Sequence, residues 1–164
     1  MMRVYGLKRV AAAAAGALAF VAVAASPGGA AVIAHESVTG VTATGPIPCA
    51  NGGLGEDVTF TIDIHVLQAS TVNGRRSSLT LHANTRGTGV GAITGDVYRV
   101  AATSNLHQIV DLATGEQVVT LTSHSHENGP GPGNNLKLTA VGHTTTTPDG
   151  DITVHFERVS VTCG

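Results

Sequence analysis

Apolar residues at every second position constrain the fold of this 164-residue chain more than any other feature. The run from Asp57 to Val66 alternates strictly, and its apolar members are Val58, Phe60, Ile62, Ile64 and Val66. Successive side chains of a strand point to opposite faces, so the pattern predicts a half-buried β-strand. Beyond the N-terminal segment no stretch keeps the 3.6-residue period of an amphipathic helix, which predicts an all-β protein.

Turn-forming residues divide the rest of the chain into further strands. Asn73-Gly74 tolerates the positive φ of a tight reversal and predicts a hairpin. The predicted strands cover residues 57–66, 79–83, 96–104, 106–112, 116–126, 136–146 and 151–163. Six to eight strands joined by short turns form an antiparallel meander, which we expect to close into a small β-barrel. A two-sheet β-sandwich is the alternative, because both folds produce the same alternation.

Two local features predict irregular backbone. The glycine-rich stretch 87–95 predicts a sharp corner, or a bulged strand that another part of the chain approaches closely. In the last strand the apolar residues occupy even positions up to Phe156 and odd positions from Val159. A β-bulge near Glu157-Arg158 would account for this change of phase.

The N-terminal residues 1–34 predict a signal peptide. Basic residues within positions 3–9 precede the apolar run 10–25, which ends at a Ser-Pro-Gly-Gly break. Cleavage is expected after Ala25, Ala31 or Ala34. Residues 35–48 show no periodicity and predict a flexible lead-in or an edge segment, followed by the β-barrel domain at 49–164.

The two cysteines, Cys49 and Cys163, bracket that domain and predict a disulfide bond. Export places the protein in an oxidising compartment, where a single cysteine pair is most simply a structural bridge. A redox-active pair would need a nearby partner such as a CxxC motif, which is absent. We therefore expect a secreted, extracellular protein.

The charge balance of the exported part limits its partners. Three of the nine basic residues lie in the signal, so six face eleven carboxylates in the remainder, a net charge near −5. A mildly acidic chain with scattered arginines argues against nucleic acid and anionic membranes as partners. No second apolar stretch approaches the ~18–20 residues of a membrane span, so the mature chain is expected to have none.

Histidines are the residues best suited to chemistry. His124 and His126 lie two apart, which places both imidazoles on one face of a strand about 7 Å apart and suits a divalent metal ion. Glu127 is a candidate oxygen ligand for the same metal. Four further histidines fall in the polar phase of their strands: His65, His82, His143 and His155. The alternative is that the polar phase faces water and the histidines bind nothing.

Three segments resemble a group of small uncharacterised bacterial secreted proteins. They are Thr94-Gly95-Asp96-Val97-Tyr98-Arg99, Gly131-Pro132-Gly133-Asn134-Asn135-Leu136, and Gly150-Asp151-Ile152-Thr153-Val154 with the terminal Cys163. The resemblance covers most of residues 49–163. It implies a signal peptide, a compact β domain and no established activity, and it transfers no catalytic residues.

Three functions remain open from the sequence. A non-enzymatic secreted β-barrel that binds a small apolar ligand or another envelope component is favoured, because small barrels often enclose a cavity. A metal-dependent enzyme or metal-binding protein using His124 and His126 is the first alternative, and a structural envelope protein is the second. No nucleophile-elbow or nucleotide-binding glycine motif is present. No cofactor other than a divalent metal is indicated.

Overall fold

A computed structural model describes residues 32–164 as seven long β-strands. The strands are β1 (Val32–Ile47), β2 (Glu56–Asn73), β3 (Arg76–Gly91), β4 (Val97–Asp111), β5 (Gln117–Asn128), β6 (Asn135–Thr146) and β7 (Ile152–Cys163). A short turn, α1 (Ala50–Gly53), follows β1, and its residues Asn51 and Gly52 have left-handed backbone angles. The predicted signal peptide lies outside the described residues, apart from its last three positions. Within residues 32–164 no helix is long and apolar enough to cross a membrane.

The strands form one antiparallel sheet in the order of the chain, β1 to β7. This confirms the predicted all-β meander and its strand number. The predicted closed barrel is wrong, because within the described residues no hydrogen-bonded ladder joins β1 to β7. The sandwich alternative is wrong as well, since all seven strands belong to a single sheet. Alternation reports which side of a strand is buried and carries no information on whether the sheet closes.

Two predicted boundaries differ from the structure. The strands expected at 96–104 and 106–112 are one continuous strand, β4, because Asn105 stays in register with His82 and Thr122 on its neighbours. The lead-in expected to be flexible at 35–48 belongs almost entirely to β1, the first edge strand of the sheet. Of the two interpretations of that segment, the edge segment is therefore the correct one.

The sheet has two chemically different faces, because residues paired across antiparallel strands share a face. We call the side that carries the aligned residues Phe60, Gly89 and Tyr98 the core face. The opposite side, which carries the aligned residues His65 and Asn84, is the polar face. Each strand contributes alternate residues to the two faces, so every assignment below follows from the pairing register.

The buried core lies at one end of the core face. It consists of Ile47, Cys49, Ala50, Val58, Phe60, Tyr98 and Leu136. The loop 48–55 covers this end, and the backbone N–H of Gly52 donates a hydrogen bond of 2.8 Å to Asn134 Oδ1 in the β5–β6 loop. The disulfide between Cys49 and Cys163, with Cα atoms 5.5 Å apart, ties the same loop to the end of β7. The predicted disulfide is confirmed, and it connects the segment that follows the first edge strand, β1, to the last edge strand, β7.

Glycines in β3 make room for this core. A Cβ added at Gly89 would lie 2.5 Å from Phe60 Cδ1 and 2.7 Å from Val58 Cγ1. The close approach predicted from the glycine-rich stretch is therefore present. The predicted bulge is absent, since β3 pairs with β2 and β4 in continuous register up to the last glycines.

The bulge predicted near Glu157-Arg158 is also wrong. The ladder between β6 and β7 runs in unbroken register from Val154 to the end of β7, and its one register shift lies opposite Thr145 and Thr146. Phe156 consequently lies on the polar face and is 51% exposed. The change of apolar phase needs no bulge here, because every residue of this edge strand is exposed.

Candidate functional site on the polar face

The basic residues and the glutamates of the strands lie on opposite faces, whereas Asp57, Asp63 and Asp111 share the face of the basic residues. The basic residues of the strands all lie on the polar face: Arg76, Arg86, Arg99, Lys137 and Arg158. The glutamates of the strands all lie on the core face: Glu36, Glu56, Glu127 and Glu157. The chain is acidic overall, yet in residues 32–164 all the lysine and arginine side chains of the strands lie on the polar face.

Histidines follow the same segregation. Seven of the eight lie on the polar face: His35, His65, His82, His107, His124, His126 and His143. The exception is His155, which is paired with Thr144 and lies on the core face. The sequence placed His155 in the polar phase of its strand, and this is wrong because the register shift comes at the start of β7.

Two adjoining depressions cross β2 to β5 on the polar face. The first, of about 400 Å³, is lined by Asp63, His65, Asn84 and Arg86. The second, of about 330 Å³, shares Asn84 and Arg86 and extends to the following residues: Thr85, Ala101, Ala102, Thr103, His124 and His126. Together they form one shallow polar groove, and Asn84 and Arg86 of β3 are common to both depressions.

A hydrogen-bond network holds the amide of Asn84 in place beside the groove. Its Nδ2 donates to His82 Nε2 at 3.0 Å, and its Oδ1 accepts from Thr103 Oγ1 at 3.2 Å. His82 Nδ1 in turn lies 2.6 Å from Asn105 Oδ1. Because the Asn84 amide N–H donates to Nε2, His82 Nδ1 is the ring atom that can donate to Asn105 Oδ1.

The rings of His65 and His124 are each held through Nδ1. His65 Nδ1 lies 2.8 Å from Ser37 Oγ, and His124 Nδ1 lies 3.2 Å from Thr139 Oγ1. Each ring is thus oriented by a hydroxyl on a neighbouring strand, which leaves its Nε2 for a ligand. The sequence could not predict these contacts, since they depend on the exact register between the paired strands.

The groove carries one fixed negative and one fixed positive charge. Asp63 is the one carboxylate that lines it, and Asp63 Oδ1 already accepts a 2.9 Å hydrogen bond from the backbone N–H of Gly40. Asp63 and Arg86 lie opposite each other in the β2–β3 ladder but form no salt bridge, since those of residues 32–164 join Arg75 to Asp111 and His155 to Glu157. A planar guanidinium beside imidazole and amide donors suits a carboxylate or phosphate group.

The predicted metal site is incomplete within the described residues. His124 and His126 share the polar face, as expected from their spacing. No group of three or more histidine, cysteine or acidic side chains able to hold a metal occurs in residues 32–164. Glu127, the predicted oxygen ligand, pairs with Leu136 on the core face and points away from both imidazoles.

Glu127 is the unusual ionisable group of the core face. Its Oε1 accepts a long 3.4 Å hydrogen bond from Ser125, and its Oε2 is buried without a partner. Burial raises the pKa of Glu127 to about 7, and the hydrogen bond from Ser125 opposes this only in part. The sequence carried a signal for this residue, since Glu127 occupies the same phase as Val119 and Leu121 in β5.

The fold and the site define a disulfide-linked, single-sheet β protein with a basic, histidine-rich face. No family model matches the chain, and no curated protein or solved structure shows significant similarity to it. The resemblance to small bacterial secreted proteins stays a prediction.

Proposed function

We propose that this is an exported, non-enzymatic binding protein whose polar groove holds an anionic component of the cell envelope. The expected ligand is a polymer that carries phosphate or carboxylate groups. The observation that carries the proposal is the segregation of basic and histidine side chains to one face, with Arg86 in a groove on that face. The sequence predicted an envelope partner without naming its chemistry, and the proposal specifies it as an anionic polymer.

The geometry of the groove suits an extended ligand. It crosses four strands and is shallow, so a polymer can lie across the sheet and contact successive strands about 4.8 Å apart. Asn84, His65 and His124 supply hydrogen-bonding groups for hydroxyls or anionic oxygens, while Arg86 supplies a fixed charge. An open site of this kind binds without excluding water, which supports binding rather than catalysis.

Export is the second element of the proposal. The disulfide between Cys49 and Cys163 is the kind of bond that persists in an extracellular compartment. The basic, apolar and small-residue order of the N-terminal segment supports the same location. An envelope polymer is a ligand that such a protein would meet.

A small apolar ligand is less favoured by this geometry. Both depressions open on the polar face, and polar or charged residues line them except at Ala101 and Ala102. On the core face, the end next to the loop 48–55 is filled by the protein's own side chains. A ligand of this class would have to bind along the half-buried remainder of that face.

Retention on immobilised polyphosphate and on immobilised alginate tests the proposal. We expect the purified secreted protein to bind at low salt and to elute as salt rises, because surface charges are screened. Arg86→Ala should weaken binding several-fold. The matched control is Arg75→Ala, which removes an exposed arginine from the β2–β3 turn, away from the groove.

Three results would overturn the proposal. The first is no retention on either polymer at low salt. The second is an equal loss in Arg75→Ala and Arg86→Ala, which would show binding by net charge alone. The third is retention that requires added zinc and disappears in His124→Ala/His126→Ala, which would establish the metal alternative.

A further inference from the structure

We propose that β7 pairs antiparallel with β7 of a second copy of this chain, about a two-fold axis at Phe156. The pairing would extend the sheet from seven to fourteen strands. This inference is independent of what the polar groove binds. It follows from the exposure, the hydrogen-bonding direction and the charge order of one edge strand.

The two edges of the sheet are protected to very different degrees. The first edge, β1, has a register shift between Val38 and Val41, a positive φ at Gly40 and a proline at position 46. Each of these features obstructs the addition of another strand. The second edge, β7, is twelve residues long, exposed throughout, free of proline and lysine, and in regular register from Val154 onward. It is the edge that can accept a partner.

The backbone of β7 shows which groups face outward. Asn135 and Gly164 exchange both of their backbone hydrogen bonds, at 3.1 and 3.2 Å, so Gly164 directs its N–H and C=O towards β6. The direction alternates along a regular antiparallel strand. Even-numbered residues back to Phe156 therefore face β6, whereas odd-numbered residues from His155 onward direct their N–H and C=O groups to the open edge.

Side-chain complementarity favours the axis at Phe156 over the axes at Glu157 and Arg158. A two-fold axis at Phe156 places His155 opposite Glu157 of the second copy, and Glu157 opposite the second copy's His155. Both are outward-facing, hydrogen-bonded positions on the core face. An axis at Glu157 would set two carboxylates against each other, and an axis at Arg158 would set two guanidinium groups against each other, which is unfavourable.

The side chains involved are free to make these contacts. In the single chain, His155 Nε2 and Glu157 Oε2 lie 4.0 Å apart, and the two side chains are 57% and 55% exposed. An ion pair between side chains this exposed contributes little to the stability of the single chain. The same axis brings two half-exposed Phe156 rings together on the polar face, where an aromatic cross-strand pair adds stability.

An axis perpendicular to the sheet keeps like faces on the same side. The polar faces of the two copies would then be continuous, and their grooves would lie on one surface. A polymer could contact both grooves, although the pairing does not depend on it.

Cysteine cross-linking tests the register. In the proposed pairing the two copies of residue 156 oppose each other as a non-hydrogen-bonded pair, with Cα atoms about 4.5 Å apart, within disulfide range. We expect Phe156→Cys to form a covalent dimer under mild oxidation. Ser160→Cys, on the same face of the same strand, is the control, since its two copies would lie about 27 Å apart.

Charge variants give a second readout on the exposed edge. Light scattering on the secreted protein should show a dimer that weakens several-fold in Glu157→Arg. The double variant His155→Asp/Glu157→Arg should restore it, because an aspartate of each copy would then face an arginine of the other. A monomer at all concentrations, or equal cross-linking in Ser160→Cys, would overturn the proposal. Assemblies that grow beyond the dimer would also overturn it, because they would indicate pairing of β7 with β1.

Discussion

The hydroxyl of Tyr98 donates a hydrogen bond of 3.2 Å to Glu56 Oε1, and both side chains are buried. Glu56 also accepts hydrogen bonds from the backbone N–H groups of Ile93 and Thr94 and from the hydroxyl of Thr94, at 2.7 to 3.0 Å. One carboxylate therefore joins the start of β2, the β3–β4 turn and β4. Tyr98 extends the link to the covering loop, because its hydroxyl accepts from the backbone N–H of Asn51 at 3.4 Å.

The first prediction concerns acid stability. The hydrogen bond from the Thr94 hydroxyl, followed by those from the Thr94 and Ile93 backbones, lowers the pKa of Glu56 below its usual 4.5, although burial opposes the change. A depressed pKa stabilises the fold above the unfolded value, and the effect is lost as pH falls through the folded value. We expect Glu56→Gln to be less stable than the wild type at pH 7 and to lose less stability on acidification.

Urea unfolding between pH 3 and pH 7 measures this difference. The backbone N–H of Ala113 is the main cause that lowers the pKa of Asp111. Asp111 therefore contributes equally to the loss of stability at low pH in the wild type and in Glu56→Gln. A parallel pH profile for the wild type and Glu56→Gln would contradict the assignment.

The second prediction concerns Glu127, whose pKa is raised to about 7 by burial. Here the folded state holds its proton more tightly than the unfolded state. This group's contribution is present below about pH 4.5, falls as pH rises towards 7 and is constant above it. Glu127→Gln should remove that fall and be more stable at pH 8 by up to ~3 kcal/mol. Denaturation at pH 5 and pH 8 tests it, and an equal effect at both pH values would contradict it.

The third prediction concerns the disulfide. The bridge closes a loop across 114 residues of sequence. Removing it through Cys49→Ala/Cys163→Ala should cost ~2–5 kcal/mol of unfolding free energy, because the unfolded chain gains conformational freedom. The same loss should follow reduction of the wild type. Unchanged unfolding in the reduced protein would show that hydrogen bonds alone hold the loop 48–55 to β7.

The fourth prediction concerns the glycines under the core. Gly89→Ala should destabilise the fold by ~1–3 kcal/mol, because the added methyl group overlaps the Phe60 ring. Gly45→Ala is the matched control on the same face of β1, where an added Cβ meets no atom within 4 Å and φ is not positive. Thermal unfolding compares them, and equal melting temperatures would contradict the close approach.

The strands could be predicted from the sequence because alternation is a local signal. The inward position of Glu56 was also accessible, since it occupies the same phase as Val58 and Phe60. The open sheet was not predictable, because a closed and an open sheet demand the same alternation. The exposed position of Phe156 was missed because a residue on an edge strand can be apolar without being buried.

The candidate site shows the same limit. Most groove residues come from the polar phase of their strands, so Arg86 and His124 could each be recognised as outward-facing. Their proximity depends on the register between strands, which hairpin turns and long-range pairing determine. For that reason a chain with scattered basic residues gave no sign of one basic face.

Histidine-ring NMR during a titration with polyphosphate tests the central claim most directly. The eight imidazoles report on both faces of one sheet, and His155 on the core face is an internal control. The account predicts saturable shifts at His65, His124 and His126 and little change at His155, with a several-fold higher polyphosphate concentration at the midpoint in Arg86→Ala. Shifts confined to His155, or equal shifts of all the rings, would contradict it.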